Sequence, residues 1–218
     1  MAHLRIFHDR EAAGVELGAA LAKLGLTAPL MVLGLPRGGV PVAFHVARRL
    51  QAPLDVYLVR KIGMPGQPEF AIGAIAMGDI LVWHPHYSDS GSALSRVVHE
   101  ERLELARRGR TYRSGRPPLD LKGQTVILVD DGLATGLTML AAVRGAMQAG
   151  AARTIAAAPV ASPEAAALVE AEGAEVVAVQ TPRNLSSIGE WYERFEQLDD
   201  AEVLRFLKSP RPHQAHSV

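Results

Sequence analysis

The 218-residue chain contains no cysteine. Disulfides, thiolate nucleophiles and zinc–thiolate sites are therefore excluded. Net charge is also lacking: 23 Lys and Arg residues cancel 23 Asp and Glu. That balance supplies no bulk attraction to nucleic acid or to an anionic membrane. No uninterrupted apolar run reaches about 18 residues, the length a membrane-spanning helix needs. The opening stretch, MAHLRIFHDREAA, carries charges early and has no apolar core of signal-peptide length. A cytoplasmic location is the expectation. No internal repeat is visible. The 8 histidines show no helical metal-ligand spacing, and His84 and His86, on either side of Pro85, are assigned no role.

What is present is ordinary for a globular protein: 48% hydrophobic and 21% charged residues. The length suggests one domain. Apolar strands alternate with helical patterns, which argues for an α/β fold with a mainly parallel sheet flanked by helices. Asp9 is placed to cap a helix running to about Lys23. Leu30 to Leu35 and Leu54 to Val59 read as strands, with a short helix from Val40 to Leu50 between them. Residues 62–73, IGMPGQPEFAIG, hold too much Gly and Pro for a helix. Ala74 to Trp83 suits one or two short strands around Gly78-Asp79, so that 60–84 reads as a flexible hairpin or flap. Helices are expected over 92–112, to Gln148, over 163–172 and over 199–208. Strands are expected over 125–129, 154–160 and 175–181. The fold proper spans 1–208, and the tail 209–218 is expected to be disordered.

The most informative stretch is VILVDDGLATGLTM, residues 126–139. Four apolar residues form a buried strand. Asp130 and Asp131 follow at once, then a Gly/Thr loop, then the apolar start of a helix. Loop amides and a helix N-terminus favour a phosphate. Paired carboxylates accept hydrogen bonds from a sugar diol or hold a hydrated divalent cation. The plain alternative is an acidic turn after an ordinary parallel strand.

This stretch resembles the signature of the type I phosphoribosyltransferases: an apolar strand, two acids, three residues, then Thr-Gly-x-Thr. Here Asp130, Asp131, Thr135, Gly136 and Thr138 match it. Leu137 departs from the commoner Gly, Ser or Lys, but a backbone donor survives that change. The resemblance implies a type I phosphoribosyltransferase-like fold with a flexible flap and a small C-terminal hood within 182–208. It implies 5-phosphoribosyl-1-pyrophosphate (PRPP) and a small-molecule acceptor as partners, with Mg²⁺ as cofactor. The Ala134–Thr138 loop, with Thr135, Gly136 and Leu137, would hold the 5-phosphate. Asp130 and Asp131 would contact the ribose hydroxyls and reach Mg²⁺ through water, the metal being held mainly by substrate.

Two further segments fit the resemblance. In LGLPRGGVPVA, residues 33–43, Gly38 and Gly39 allow close backbone approach and Arg37 offers a planar fork of donors. This looks like the family's pyrophosphate loop; a tight turn with a surface arginine is the simpler reading. Arg60 and Lys61, before the Gly/Pro-rich segment, look like the Arg-Lys pair of the purine enzymes and suit a polyanionic leaving group; two solvated cations would do as well. Ligands of open α/β sheets bind outside the carboxyl ends of the strands. Loops 36–39, 60–73 and 130–138 are all expected to leave such ends and converge.

The acceptor is the thin part. Enzymes for 6-oxopurines commonly carry an acid one residue before the signature Thr, and here that position is Ala134. Glu69 is a candidate base or a solvated carboxylate. Trp191, Tyr192 and Phe195 could stack on a base or pack the core. Arg107, Arg108, Arg110, Arg113 and Arg116, with Glu100, Glu101 and Glu104 beside them, read as a solvated helix face or a subunit contact. The expectation is phosphoribosyl transfer to a nitrogenous acceptor, with no nucleic acid or membrane partner, and it admits a homodimer. One rival is a PRPP- or nucleotide-binding regulator of the same fold without transfer chemistry. Another is a hydrolase with Asp130 as nucleophile.

Overall fold

The computed structural model describes residues 5–84, 86–87 and 92–208, the side chains at 68, 69, 92 and 93 excepted. The tail expected to be disordered and the side chain of Glu69 lie outside these described residues. In chain order the elements are α1 (Arg10–Ala22), β1 (Leu30–Gly34), α2 (Gly39–Leu50), β2 (Leu54–Val56), β3 (Val59–Met64), β4 (Gln67–Ala76), β5 (Ile80–Trp83) and α3 (Ser92–Arg113). Then follow β6 (Thr125–Val129), α4 (Leu137–Gln148), β7 (Arg153–Val160), α5 (Pro163–Glu170), β8 (Glu175–Gln180) and α6 (Asp200–Lys208). No helix among the described residues is long and apolar enough to cross a membrane.

Five strands pair in parallel in the order β2-β1-β6-β7-β8. Successive side chains on a strand point to opposite faces, so a sheet covered on both sides needs unbroken apolar runs. Val32, Ile127, Val129, Ile155 and Ala157 pack on one face with Leu17 and Leu21 of α1 and Val42 and Val46 of α2. Leu33, Val126, Leu128, Ala156 and Ala158 pack on the other, with Leu140 and Val143 of α4. Each large buried aliphatic side chain contributes roughly 1.5–3 kcal/mol over its exposed state. The α1 start is capped as the sequence suggests: the Ala12 amide donates to Asp9 Oδ1 at 2.8 Å.

One expected strand divides. The run 54–59 is not a single element: β2 stops at Val56, and Val59 opens β3 in a second sheet. The Tyr57 amide still donates to Gly34 of the main sheet (3.1 Å), while the Leu58 carbonyl already accepts from Met77 in the second (2.9 Å). The chain thus passes from one sheet to the other within two residues. The second sheet is antiparallel, β3-β4-β5, and packs its Val59, Ala74, Ala76 and Val82 into the core beside α4. The segment expected as a hairpin or flap forms a three-stranded antiparallel unit. Gly66 (φ 83°) lies in the β3–β4 turn, and Gly78 (φ 82°) and Asp79 (φ 61°) in the β4–β5 turn.

Of the arginine cluster, Arg107, Arg108, Arg113 and Arg116 pair with acids of the same chain, and Arg110 is exposed. Arg108 pairs with Glu104 (2.8 Å), Arg107 with Glu104 (2.7 Å) and Asp200 (3.2 Å), and Arg113 and Arg116 both reach Asp55 (3.4 Å each). These contacts join α3 to the edge strand β2 and to α6.

Candidate active site

The sheet order places the site. From β1 the chain proceeds to β2 on one side, whereas from β6 it proceeds to β7 and β8 on the other. Adjacent strands whose connections diverge leave a crevice at their carboxyl ends, where ligands of such sheets bind. The helices after β1 and β6, α2 and α4, lie on opposite faces, so the two loops open away from each other. Those loops are Leu35–Gly38 and Asp130–Gly136, the two that carry the candidate residues.

The acid pair sits against the glycines. A β-carbon added at Gly38 would lie 1.9 Å from Asp131 Oδ2, and one at Gly39 would lie 2.4 Å from the Val129 carbonyl oxygen. Only residues without a side chain fit there. The Leu35 amide donates to Val129 at 2.8 Å, which fastens the first loop to the signature strand. The peptide bond between Pro36 and Arg37 is cis. Within α2, Gly39 and Val40 donate to Leu35 and Arg37, and Pro41 has no amide hydrogen. The helix therefore adds few donors here. The amides of Arg37 and Gly38 have no partner among the described residues, and the Arg37 side chain is half-buried.

The signature loop is different. Gly136 adopts a left-handed conformation (φ 76°) ahead of α4, without a side-chain cap. The amides of Thr135, Gly136, Leu137 and Thr138 have no partner among the described residues. By contrast, α1 and α5 are capped by Asp9 and Ser162. Ser162 also steadies the loop, its Oγ donating to the Ala134 carbonyl at 2.8 Å. Uncapped first-turn amides with the helix dipole behind them make an anion seat. The role of Ser162 was absent from the sequence reading; the Ser-Pro start of α5 was its only local signal.

Burial, and next the Asp131 carboxylate, push Asp130 well above the ordinary carboxylate pKa; the Asp131 amide, Lys61 and Arg10 act in the opposite direction. Asp131 is held from several sides. Its carboxylate accepts from Arg10 Nε (2.9 Å), its amide donates to Asp130 Oδ1 (2.9 Å), and its carbonyl accepts from the Tyr192 hydroxyl (2.6 Å). Arg10 was missed in the sequence because 121 residues separate it from Asp131.

Arg60 and Lys61 do not end a parallel strand, as the sequence suggested, but lie inside β3. Neighbours on a strand face opposite ways. Lys61 is exposed and its charge reaches Asp130. Arg60 forks onto Glu101 of α3 at 2.6 and 3.3 Å. The aromatic cluster resolves mostly into packing. Tyr192 is buried against Phe7 and stacked on Phe195, with ring centroids 5.7 and 5.0 Å away. Backbone hydrogen bonds from Phe7 to Trp191 and from Glu193 to Phe7, both 2.8 Å, tie this segment to the start of the chain. Ile188 lies directly on Gly132, so residues 188–195 form a cover beside the acid pair.

The acids supply oxygen donors in a place where added positive charge relieves both burial and mutual repulsion, which suits a hard cation. No group of three or more His, Asp or Glu able to hold a metal occurs among the described residues.

Known proteins give the family. The chain matches a family model, the phosphoribosyl transferase domain, over residues 7–190. A protein of Mycobacterium tuberculosis H37Rv described as a "putative phosphoribosyl transferase" is 42% identical over 210 residues, covering 94% of this chain and 47% of the relative. The chain thus spans about half the length of the curated relatives it matches. A Thermus thermophilus protein of known crystal structure is 48% identical, with a TM-score of 0.77 over 93% of this chain and 97% of that one. A Neisseria gonorrhoeae protein solved with bound ppGpp shares the fold at 14% identity, with a TM-score of 0.51 over 95% of this chain and 97% of that one. On the family match and these identities, the chain belongs to the phosphoribosyl transferase domain family.

Proposed function

We propose that the protein transfers a 5-phosphoribosyl group from PRPP to a nitrogenous base or related acceptor, releasing pyrophosphate with Mg²⁺. The observation that carries this is the acid pair at the sheet's switch point, between a glycine loop packed on it and an uncapped helix N-terminus. The amides of residues 135–138 seat the 5-phosphate. Asp130 and Asp131 accept from the ribose hydroxyls. The amides of Arg37 and Gly38, with the Arg37 guanidinium, face the pyrophosphate, and Lys61 adds charge from β3.

The acceptor nitrogen bonds to C1 as the C1–O bond breaks; pyrophosphate leaves with the electron pair, and the proton on the acceptor nitrogen passes to the departing pyrophosphate. Positive charge grows on the ribose and is stabilised by the acid pair; negative charge grows on the leaving group and is stabilised by Arg37 and Lys61. Asp130 and Asp131 would hold Mg²⁺ through water, and the ion would supply charge neutralisation of the leaving group. Closure of the β3–β4 hairpin over the site would exclude water that hydrolyses PRPP.

Ala134 offers no acid or base to a 6-oxopurine, and such assistance is worth about 10²–10⁴ in rate. Hypoxanthine and guanine are therefore expected to be poor acceptors. The test measures PRPP binding by calorimetry and pyrophosphate release with hypoxanthine, guanine, adenine, uracil and orotate. Release with any base supports transfer. Hypoxanthine or guanine as the best of the five would overturn the argument from Ala134. Tight PRPP binding with no release across a broad acceptor screen would replace transfer by a regulatory role.

A further inference from the structure

Arg10 is the first residue of α1, and its side chain is only 12% exposed. Its guanidinium makes three contacts with distinct partners. Nε donates to Asp131 Oδ2 at 2.9 Å, Nη1 donates to the Glu196 carbonyl at 2.9 Å, and Cζ lies 3.8 Å from the centre of the Phe195 ring. Phe195 stacks on Tyr192, whose hydroxyl donates to the carbonyl of Asp131. The contacts therefore close a ring: Asp131 carboxylate, Arg10, Phe195, Tyr192, Asp131 carbonyl. Both polar ends of Asp131 are held by it. The same carboxylate lies against Gly38.

We infer that Arg10 is a positioning residue that sets the Asp131 carboxylate against the Arg37–Gly39 loop and locks it to the segment 192–196. This rests on the PRPP reading above, since Asp131 is taken there as a ribose contact. A free carboxylate samples its rotamers, and each must be given up when the diol binds. Arg10 removes that freedom before substrate arrives. A charge-assisted bond between half-desolvated partners is strong and directional. The planar guanidinium serves one carboxylate, one carbonyl and one ring face at once, which a lysine ammonium cannot.

The test is a double-mutant cycle on PRPP affinity, measured by calorimetry with Mg²⁺ well below every variant's melting temperature. The proteins are the wild type, Arg10→Met, Asp131→Asn, the double variant and Arg10→Lys. Arg10→Met is expected to bind about tenfold or more weakly. Arg10→Lys should recover part of that loss. The double variant should bind no more weakly than Asp131→Asn alone, because Arg10 acts through Asp131. Losses that multiply, or unchanged affinity in Arg10→Met, would overturn the inference while wild-type binding leaves the PRPP site standing. Absence of binding by the wild type would overturn both. Should Arg10→Met not fold, Phe195→Leu carries the test: it keeps both charges and removes the ring that clamps the guanidinium. Wild-type affinity in that variant would overturn the inference.

Discussion

Asp130 is the side chain whose charge the ligand-free fold opposes most directly. Burial and the Asp131 carboxylate both raise its pKa, from an unfolded value of about 3.9. A raised folded value means that the folded state favours the protonated acid. Stability from this group is therefore fully present below the unfolded pKa and is lost as pH rises through the folded pKa. Asparagine keeps the acceptor for the Asp131 amide and carries no charge. Asp130→Asn should accordingly melt higher than the wild type near neutral pH without ligand, by about 2–4 °C per kcal/mol recovered. The gain should shrink towards about pH 4. The same variant should bind PRPP less well, because the neutral amide is a weaker acceptor and attracts no cation. Calorimetric melting with and without PRPP checks both halves; an unchanged or lower ligand-free melting temperature at neutral pH would remove the electrostatic argument.

At the scale of elements, the two loops at the switch point act as one surface because backbone and acid pair touch. Gly38→Ala puts a methyl group where Asp131 Oδ2 lies, so either the loop or the carboxylate must shift. The expected result is a loss of PRPP affinity of tenfold or more, about 1.4 kcal/mol, with the fold kept. Wild-type affinity in that variant would mean that the loop and the acids need not touch. The β3–β4 hairpin behaves differently. Its roots pack on α4 and α3, while its turn carries Gly66 and the exposed Phe70 lies close by on β4. We expect amides in 62–73 to gain hydrogen-exchange protection when PRPP binds, beginning at the turn. Equal protection in both states would detach this unit from the substrate.

For the whole molecule, the first and last segments of the fold are knit together. Phe7 bridges to Tyr192, Arg5 exchanges hydrogen bonds with Gln180, and the Arg194 amide donates to His8. Val203 and Leu207 of α6 join Val40, Val56, Leu58 and Tyr112 in a shared cluster. Elements this interlocked should unfold as one unit. A single calorimetric transition, with equal calorimetric and van't Hoff enthalpies, is expected for the 1–208 fold. Two separable transitions, one lost on removing residues 188–208, would show that the C-terminal cover folds by itself.

The amino-acid sequence determined the parallel strands, the α1 cap and the site's local parts, because each depends on neighbours in the chain. Unbroken apolar runs dictate strands buried on both faces, Asp9 dictates a helix start, and DDGLATG dictates acids before a glycine turn into a helix. The division of 54–59 was not legible: Val56, Tyr57, Leu58 and Val59 are all buried, and a continuous apolar run carries no mark where it changes sheets. The separation of Arg60 from Lys61 was hidden for a related reason. Adjacent cations read as a pair until a strand turns them to opposite faces and Glu101, 41 residues away, claims one of them. Arg10 and Ser162 entered the site only through tertiary structure, and Tyr192, read in the sequence as a base-stacking or core aromatic, became a donor to the Asp131 carbonyl there. Local chain chemistry specifies what an element is, whereas a carboxylate's partners are decided by which distant helix and segment the packed core brings within 3 Å of it.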